Sequence, residues 1–467
     1  MTATCGVWTP HCAAPWHGAG EAPVQQLIAR NLALARAVAS ARQLTLSNTK
    51  VLARRLGPGL ITGAADDDPS GIATYSQAGS QFRFGLVWTL LLTTPLMIGI
   101  QMLSARIGWV TGEGLAANIA KVCPRWLTMT LVGLLVTANT INIAADIGAM
   151  GEAVRLLAGG HTTLYIVGFG ALCILGQVCF SYERTVRVLK WLTLALFSYF
   201  AVVMVVQVPM KQALVESLQP WHFFAKDVAL SEHASMVVAV LGTTISPYLF
   251  FWQASQEAED NYRRPEAAVL RGSRAYAEQH LFRIKQDTYV GMLFSNAIAL
   301  CIVVATAVTL NMHGITNIQT SSQAAEALRP IAGDFAFAVF ALGIVGTGLL
   351  AVPVLAGSAA YAVSEVFGWK AGLSHGFHEA RGFYLIIVAA TGIGTLMSVF
   401  EVDPIKALVW SAVVNGVISV PIMVVMMWIG QSHRIMGELT ISRRHRLLGW
   451  AATAVMAVAV VVMMLTA

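Results

Sequence analysis

Three consecutive carboxylates, Asp66, Asp67 and Asp68, followed by Pro69-Ser70-Gly71, interrupt a segment that is otherwise apolar and long enough to cross a bilayer: Gly57 to Phe82, GPGLITGAADDDPSGIATYSQAGSQF. In hydrocarbon a carboxylate is costly, and every backbone polar group must find a partner within the protein. Pro69 also removes one donor from any helical ladder. Two readings are open. Either the acids form the solvated tip of a loop between two helices, or a spanning helix breaks around a wet cation site.

Composition bears on the choice. Of 467 residues, 56% are hydrophobic and 12% charged, with mean hydropathy +0.66. Soluble domains carry about 25% charged residues. The chain therefore reads as a polytopic helical membrane protein with the lipid bilayer as its solvent. Its net charge of +6 is spread through inter-helix loops and is no nucleic-acid footprint. The six cysteines show neither metal-ligand pairing nor a disulfide framework; Cys173, Cys179 and Cys301 lie in apolar runs. Residues 1 to 25 have no apolar signal-peptide core, and 26 to 55 read equally as a basic amphipathic surface helix or a solvated tail. No Ser/His/Asp set, HExxH, P-loop, redox cysteine pair or ATP-binding module appears, so neither an enzyme nor a primary pump is expected, nor a cofactor.

At about 17 to 25 apolar residues per span, eleven spans are predicted: 57–80, 86–108, 127–157, 163–181, 187–208, 234–254, 288–311, 335–363, 382–400, 405–429 and 447–466. With the N-terminus inside, 24 of the 30 Lys and Arg residues fall on the cytoplasmic side, so the N-terminus is placed in the cytoplasm and the C-terminus outside. A bacterial inner membrane is the expected location. The charged stretch Glu257 to Asp287 reads as a cytoplasmic helix or linker. The sixth span, VVAVLGTTISPYLFFWQASQE, has Gly242-Thr243-Thr244 and Pro247 at mid-depth and should break there too. It opens a second set of five spans. Broken helices at matching positions of two halves point to an inverted-repeat transporter with a central site. The predicted fold is an all-α membrane protein, a LeuT-like 5+5 inverted repeat with helices 1 and 6 broken. Its parts are a tail (1–55), a first repeat (56–209), a second repeat (210–429) and a connection with the eleventh helix (430–467).

The residues Gly57-Pro58-Gly59, Asp68-Pro69, Ala73-Thr74, Gln77-Ala78-Gly79 and Gln81-Phe82 align without gaps, and GTTISPY follows in the sixth span. In these the chain resembles the Nramp divalent-metal transporters, whose hallmarks are Asp-Pro-Gly-Asn in the first helix and Met-Pro-His in the sixth. The resemblance implies transport of a divalent metal by alternating access, and a metal site. Here the Asp is Asp68, but Ser70 and Gly71 replace Gly and Asn. Ser246 replaces Met, Tyr248 the His, and Gln253 a second His. Carried over residue by residue, the implied ligands are the Asp68 carboxylate, the carbonyls of Ala65 and Thr243, and the Ser246 hydroxyl. The Gly71 position lacks a ligand and leaves room for water.

Loss of the thioether removes the soft ligand, and an all-oxygen site suits a hard cation. Mg²⁺ keeps much of its water and needs only one or two carboxylates. The chain thus looks closest to the Nramp-related magnesium transporters, with Mg²⁺ expected and Mn²⁺ carried too. Asp66 and Asp67 either add negative potential at the site or cap the break. Asn415 in the tenth span either holds a metal-bound water or bonds between helices. The family's third-helix acids align with Asn142 and Ala145, and Asp146, one position on and turned about 100°, is expected to face elsewhere. Without those acids or the histidines, transport without proton coupling is expected. The alternatives are a proton-coupled Mn²⁺/Fe²⁺ symporter and a cation-coupled organic-solute symporter. A monomer is expected.

Overall fold

Proline at the first position of a helix costs no hydrogen bond, because that amide has no intrahelical partner. Both interrupted spans use this. The computed structural model describes residues 58–180, 188, 192, 196–205, 208–217, 229–262, 274–316, 318, 321–400 and 404–466. The first span is helix α1 (Pro58–Asp66) and helix α2 (Pro69–Phe82), parted by Asp67 and Asp68. Then come α3 (Val87–Thr111), α4 (Leu115–Val122), α5 (Arg125–Ala158), α6 (Thr162–Cys179), α7 (Phe197–Val205) and α8 (Met210–Ser217). The sixth span is α9 (Leu230–Thr244) and α10 (Pro247–Tyr262), parted by Ile245 and Ser246. The chain continues as α11 (Arg274–Thr309), α12 (Ser321–Phe367), α13 (Arg381–Val399), α14 (Pro404–Gln431), the short α15 (His433–Met436) and α16 (Arg443–Thr466).

Among the described residues, nine helical segments are long and apolar enough to cross a membrane. They correspond to nine of the predicted spans. The other two are the broken α1–α2 pair and the fifth span, of which α7 is the main described part. The expected N-terminal amphipathic segment, 26–55, lies outside the described residues.

The charged stretch between the sixth and seventh spans, expected as a cytoplasmic helix or linker, is helix where it is described, extending the two spans: α10 runs on to Tyr262 and α11 starts at Arg274. Glu257 and Asp287 are 1% and 3% exposed. Charge at helix ends lowers a hydropathy window even where partners make burial affordable. Arg283 supplies one, reaching Glu257 at 2.9 Å and Asp260 at 3.6 Å. Asp287 accepts from the amides of Gly59 at 2.8 Å and Leu60 at 3.1 Å, capping the free N-terminus of α1 from α11. Glu365 does the same for α4, accepting from Ala116 at 3.0 Å and Ala117 at 3.3 Å.

Small residues bring the broken helices close to their neighbours. A Cβ on Gly63 of α1 would overlap the backbone of Gly291 in α11. A Cβ on Gly242 of α9 would meet the Ala412 carbonyl and, at 2.7 Å, the Gly416 nitrogen of α14. Such contacts are the usual basis of helix association where water offers no drive. They pin one half of each broken helix against a continuous one, which sets where the two breaks lie.

Candidate metal site

At the first break Asp68 is extended (φ −68°, ψ 169°), and its Oδ1 accepts from the Gly71 amide at 2.6 Å. Asp68 is thus the N-cap of α2, with Pro69 behind it. This spends one carboxylate oxygen on the backbone and leaves Oδ2 to face α10. The break also strips the last carbonyls of α1, Ala65 among them, of helical partners. At the second break the Ser246 hydroxyl lies 2.8 Å from the Gly242 carbonyl and 2.9 Å from that of Thr243. In the first turn of α10 the Tyr248 hydroxyl lies 2.9 Å from the Ala65 carbonyl and 3.2 Å from Asp68 Oδ2. The two breaks therefore face one another, with Tyr248 between them.

Asp68, Ala65, Gly71, Thr243 and Ser246 are brought together. One expectation about them fails: Gly71 does not leave open room. A Cβ there would stand 3.1 Å from the Asp66 carbonyl, 3.1 Å from Thr243 Oγ1 and 3.4 Å from Asp68 Oδ1. Glycine at 71 lets α2 start tight against α9, so the space a missing side chain would vacate is taken up by backbone and threonine.

The neighbouring acids divide. Asp66 Oδ2 accepts from Ser295 of α11 at 2.7 Å, while its Oδ1 has no partner. Asp67 is fully buried with neither oxygen bonded. No three His, Cys, Asp or Glu side chains converge as a ready metal cage among the described residues.

Asp146 corrects the sequence reading. It is fully buried, it lies close enough to Asp68 for the two charges to interact, and neither of its oxygens has a hydrogen-bond partner. The Ser70 amide is near it without reaching bonding geometry. The misjudgement was one of reference. Asp146 is one residue from Ala145 but four from Asn142, hence only about 40° around the helix from it. Asn142 is likewise buried with both side-chain polar atoms unpartnered. This face of α5 is turned to the break.

Asn415 is 1% exposed and its Oδ1 has no partner, so that atom makes no interhelical bond. It lies between Ala412 and Gly416, the positions of α14 that press on Gly242. Gln253 is fully engaged. Its Oε1 accepts from Gln101 at 2.6 Å and its Nε2 donates to Thr288 at 3.0 Å, linking α3, α10 and α11.

Sequence reasoning noticed Tyr248 only as a missing histidine, and did not mark Ser295 or Asp287 as partners of the first span. A polar residue inside an apolar seventh span was the available signal for Ser295; for Asp287 there was none, its partners being 227 and 228 residues away.

Apolar helices in this number, two of them interrupted near their middles with the interruptions apposed, define an integral multi-pass membrane protein of the LeuT-like fold. The family model for natural resistance-associated macrophage protein-like sequences, Nramp, matches residues 59–466, and the chain belongs to that family. It is 27% identical over 296 residues to the divalent metal cation transporter MntH of Xanthomonas campestris pv. campestris, over 63% of this chain and 64% of that one. It thus spans just under two thirds of that relative. The MntH of Aeromonas hydrophila subsp. hydrophila is 25% identical over 298 residues, 63% of this chain and 69% of that one. Among solved structures, the Eremococcus coleocola manganese transporter in complex with an aromatic bis-isothiourea substituted compound superposes with TM-score 0.71 at 15% identity, over 88% of this chain and 86% of that one. MhsT in complex with L-phenylalanine gives 0.51 at 12% identity, over 87% and 98%. At such identities the superpositions speak to fold alone.

Proposed function

We propose that this protein is a divalent metal cation transporter, not an enzyme, moving Mg²⁺, and Mn²⁺ with it, into the cytoplasm by alternating access around Asp68. The observation that carries this is a contrast among buried acids. Buried Asp287 and Glu259 and half-buried Glu365 each accept backbone amides, and Glu257 pairs with Arg283. At the first break, Asp66 Oδ1 and both oxygens of Asp67 and Asp146 have no partner. Among the described residues, Asp66, Asp67, Asp68 and Asp146 form no ion pair with Lys, Arg or His. Buried carboxyls without countercharge are costly to ionise, and a cation entering among them relieves that cost.

The donors at the apposed breaks are all oxygen: the Asp68 carboxylate, the Ala65 and Thr243 carbonyls and the Ser246 hydroxyl. Such a set favours hard cations, and this supports Mg²⁺ now that a roomy cavity at Gly71 does not. Asn415 is assigned to a metal-bound water. The relatives' printed names, divalent metal cation transporter and manganese transporter, support the substrate class. The protein is placed in the bacterial inner membrane with its N-terminus in the cytoplasm and its C-terminus outside, acting as a monomer. Transport without protons rests on Tyr248 and Gln253 standing where imidazoles would titrate. Asp146, facing Asp68, is the observation that favours a second reading, a proton-coupled Mn²⁺/Fe²⁺ symporter.

Selectivity tests the assignment of donors. Purified protein in nanodiscs is titrated with Mg²⁺, Mn²⁺ and Cd²⁺ by calorimetry, beside Ser246→Met. Returning sulfur to that position should shift preference toward Cd²⁺ and Mn²⁺ at the expense of Mg²⁺. An unchanged order of affinities would remove Ser246 from the ligand set.

A further inference from the structure

The residue that stands between the two breaks is Tyr248, whose hydroxyl has so far been given no part in ion binding. Tyr248 is 1% exposed, it begins α10, and its hydroxyl is the group that bridges α10 to both sides of the first break. The two atoms it reaches are the Ala65 carbonyl and Asp68 Oδ2. Because Oδ1 is held by the Gly71 amide, Oδ2 is the oxygen that Asp68 can offer a cation, and Tyr248 covers it together with the Ala65 carbonyl.

A tyrosine hydroxyl carries one proton and presents it to an acceptor. With that proton aimed at Ala65 and Asp68, the positive end of the O–H dipole occupies the direction from which a cation would approach. An ion held by the same two oxygens would sit about 2.0–2.1 Å from each if it is Mg²⁺. The hydroxyl must then turn its oxygen toward the ion or leave. Either way its bonds to Ala65 and Asp68 are lost. We infer that the Tyr248 hydroxyl competes with the transported cation for Asp68 and Ala65, so that ion binding and the tie between the two helix breaks exclude one another.

This inference rests on the reading of Asp68 and Ala65 as metal ligands, and adds a role for a residue outside that set. It explains how binding reaches the fold. The bonds from Tyr248 join α10 to α1 and α2, helices that belong to different repeats. A cation that takes over the two oxygens cuts that join and loosens α10 from the first break, while α1 stays docked on α11 through Gly63–Gly291 and Asp287. The hydroxyl also keeps a buried carboxylate and a freed carbonyl satisfied until the ion arrives, since an orphaned acceptor at such depth would be costly.

The test is Tyr248→Phe in the full chain, which keeps the buried ring and removes only the competitor. Mg²⁺ affinity by calorimetry should rise about tenfold, the order expected when a hydrogen bond to a charged group no longer has to be broken. In liposomes KM for Mg²⁺ should fall, and kcat should fall with it, because the hydroxyl no longer helps displace the ion at release. A purely structural tyrosine would lower activity without tightening binding. An affinity that is unchanged, or weaker, overturns the inference; the weaker result would make the hydroxyl a ligand. A second reading does not depend on the variant folding. Mg²⁺ titration of the wild-type protein should perturb its tyrosine ultraviolet difference spectrum, and a flat spectrum at saturating Mg²⁺ contradicts the exchange. If the wild-type protein binds neither Mg²⁺ nor Mn²⁺, the transport reading fails and this inference with it. If it binds both but Tyr248→Phe binds no tighter, only the inference fails.

Discussion

Asp287→Ala removes the cap that α11 places on the start of α1. Two amides depend on it, Gly59 at 2.8 Å and Leu60 at 3.1 Å, and both donate to one carboxyl group. Loss of a capping side chain costs about 1–2 kcal/mol, and a charge at a partly buried helix N-terminus contributes up to about 2 kcal/mol. The two figures describe overlapping physics, so about 2 kcal/mol is the working value rather than their sum. That amounts to roughly a 30-fold rise in the population with α1 undocked, at 1.4 kcal/mol per factor of ten. Hydrogen–deuterium exchange on nanodisc-embedded protein reads this directly. The peptide covering residues 58–66 should exchange about 30-fold faster in the variant, while α13 peptides are unchanged. Asp287→Asn, which keeps one acceptor, should fall between. Equal exchange in wild type and Asp287→Ala would refute the reasoning and assign the anchoring of α1 to the Gly63–Gly291 contact instead.

Two further outcomes are expected. Gly63→Ala places a methyl in the backbone of Gly291, so overpacking should cost about 1–3 kcal/mol or more and lower the melting temperature in nanodiscs. An unchanged melt would show that α1 can shift freely. Asp146→Asn removes an unpartnered buried carboxyl near Asp68 and should weaken Mg²⁺ binding severalfold in calorimetry without loss of fold; the same variant should leave no acidification signal if any proton travels with the metal.

Local grammar made much of this fold legible. Pro69 and Pro247 each open a half-helix, and acids beside the first mark a break that lipid would not tolerate unaided. The apolar runs place the continuous helices to within a few residues wherever the run is uniformly apolar. Charge blurred the rest. The stretch from Glu257 to Asp287 read as a helix or a linker because its acids and Arg283 depress hydropathy, and its described parts are helix extending the spans, held by ion pairs and a cap. The candidate site was legible to the depth of its motif: Asp68, Ala65 and Gly71 lie at the first break, and Thr243 and Ser246 at the second, which faces it. What the motif could not convey was three-dimensional. The turn of α5 that brings Asp146 to Asp68, the closeness of Thr243 that fills the space at Gly71, and the reach of the Tyr248 hydroxyl to two oxygens about 180 residues away all depend on how separate helices pack.

The most direct measurement is metal influx into liposomes holding the purified protein, with Mg²⁺ and Mn²⁺ followed beside an internal pH dye and Asp68→Ala as control. Mg²⁺ and Mn²⁺ entry without acidification, abolished by the substitution, is the predicted result. Mn²⁺ entry with acidification and no Mg²⁺ flux would contradict the hard-ion, proton-free assignment, and undiminished Mg²⁺ flux in Asp68→Ala would contradict the site itself.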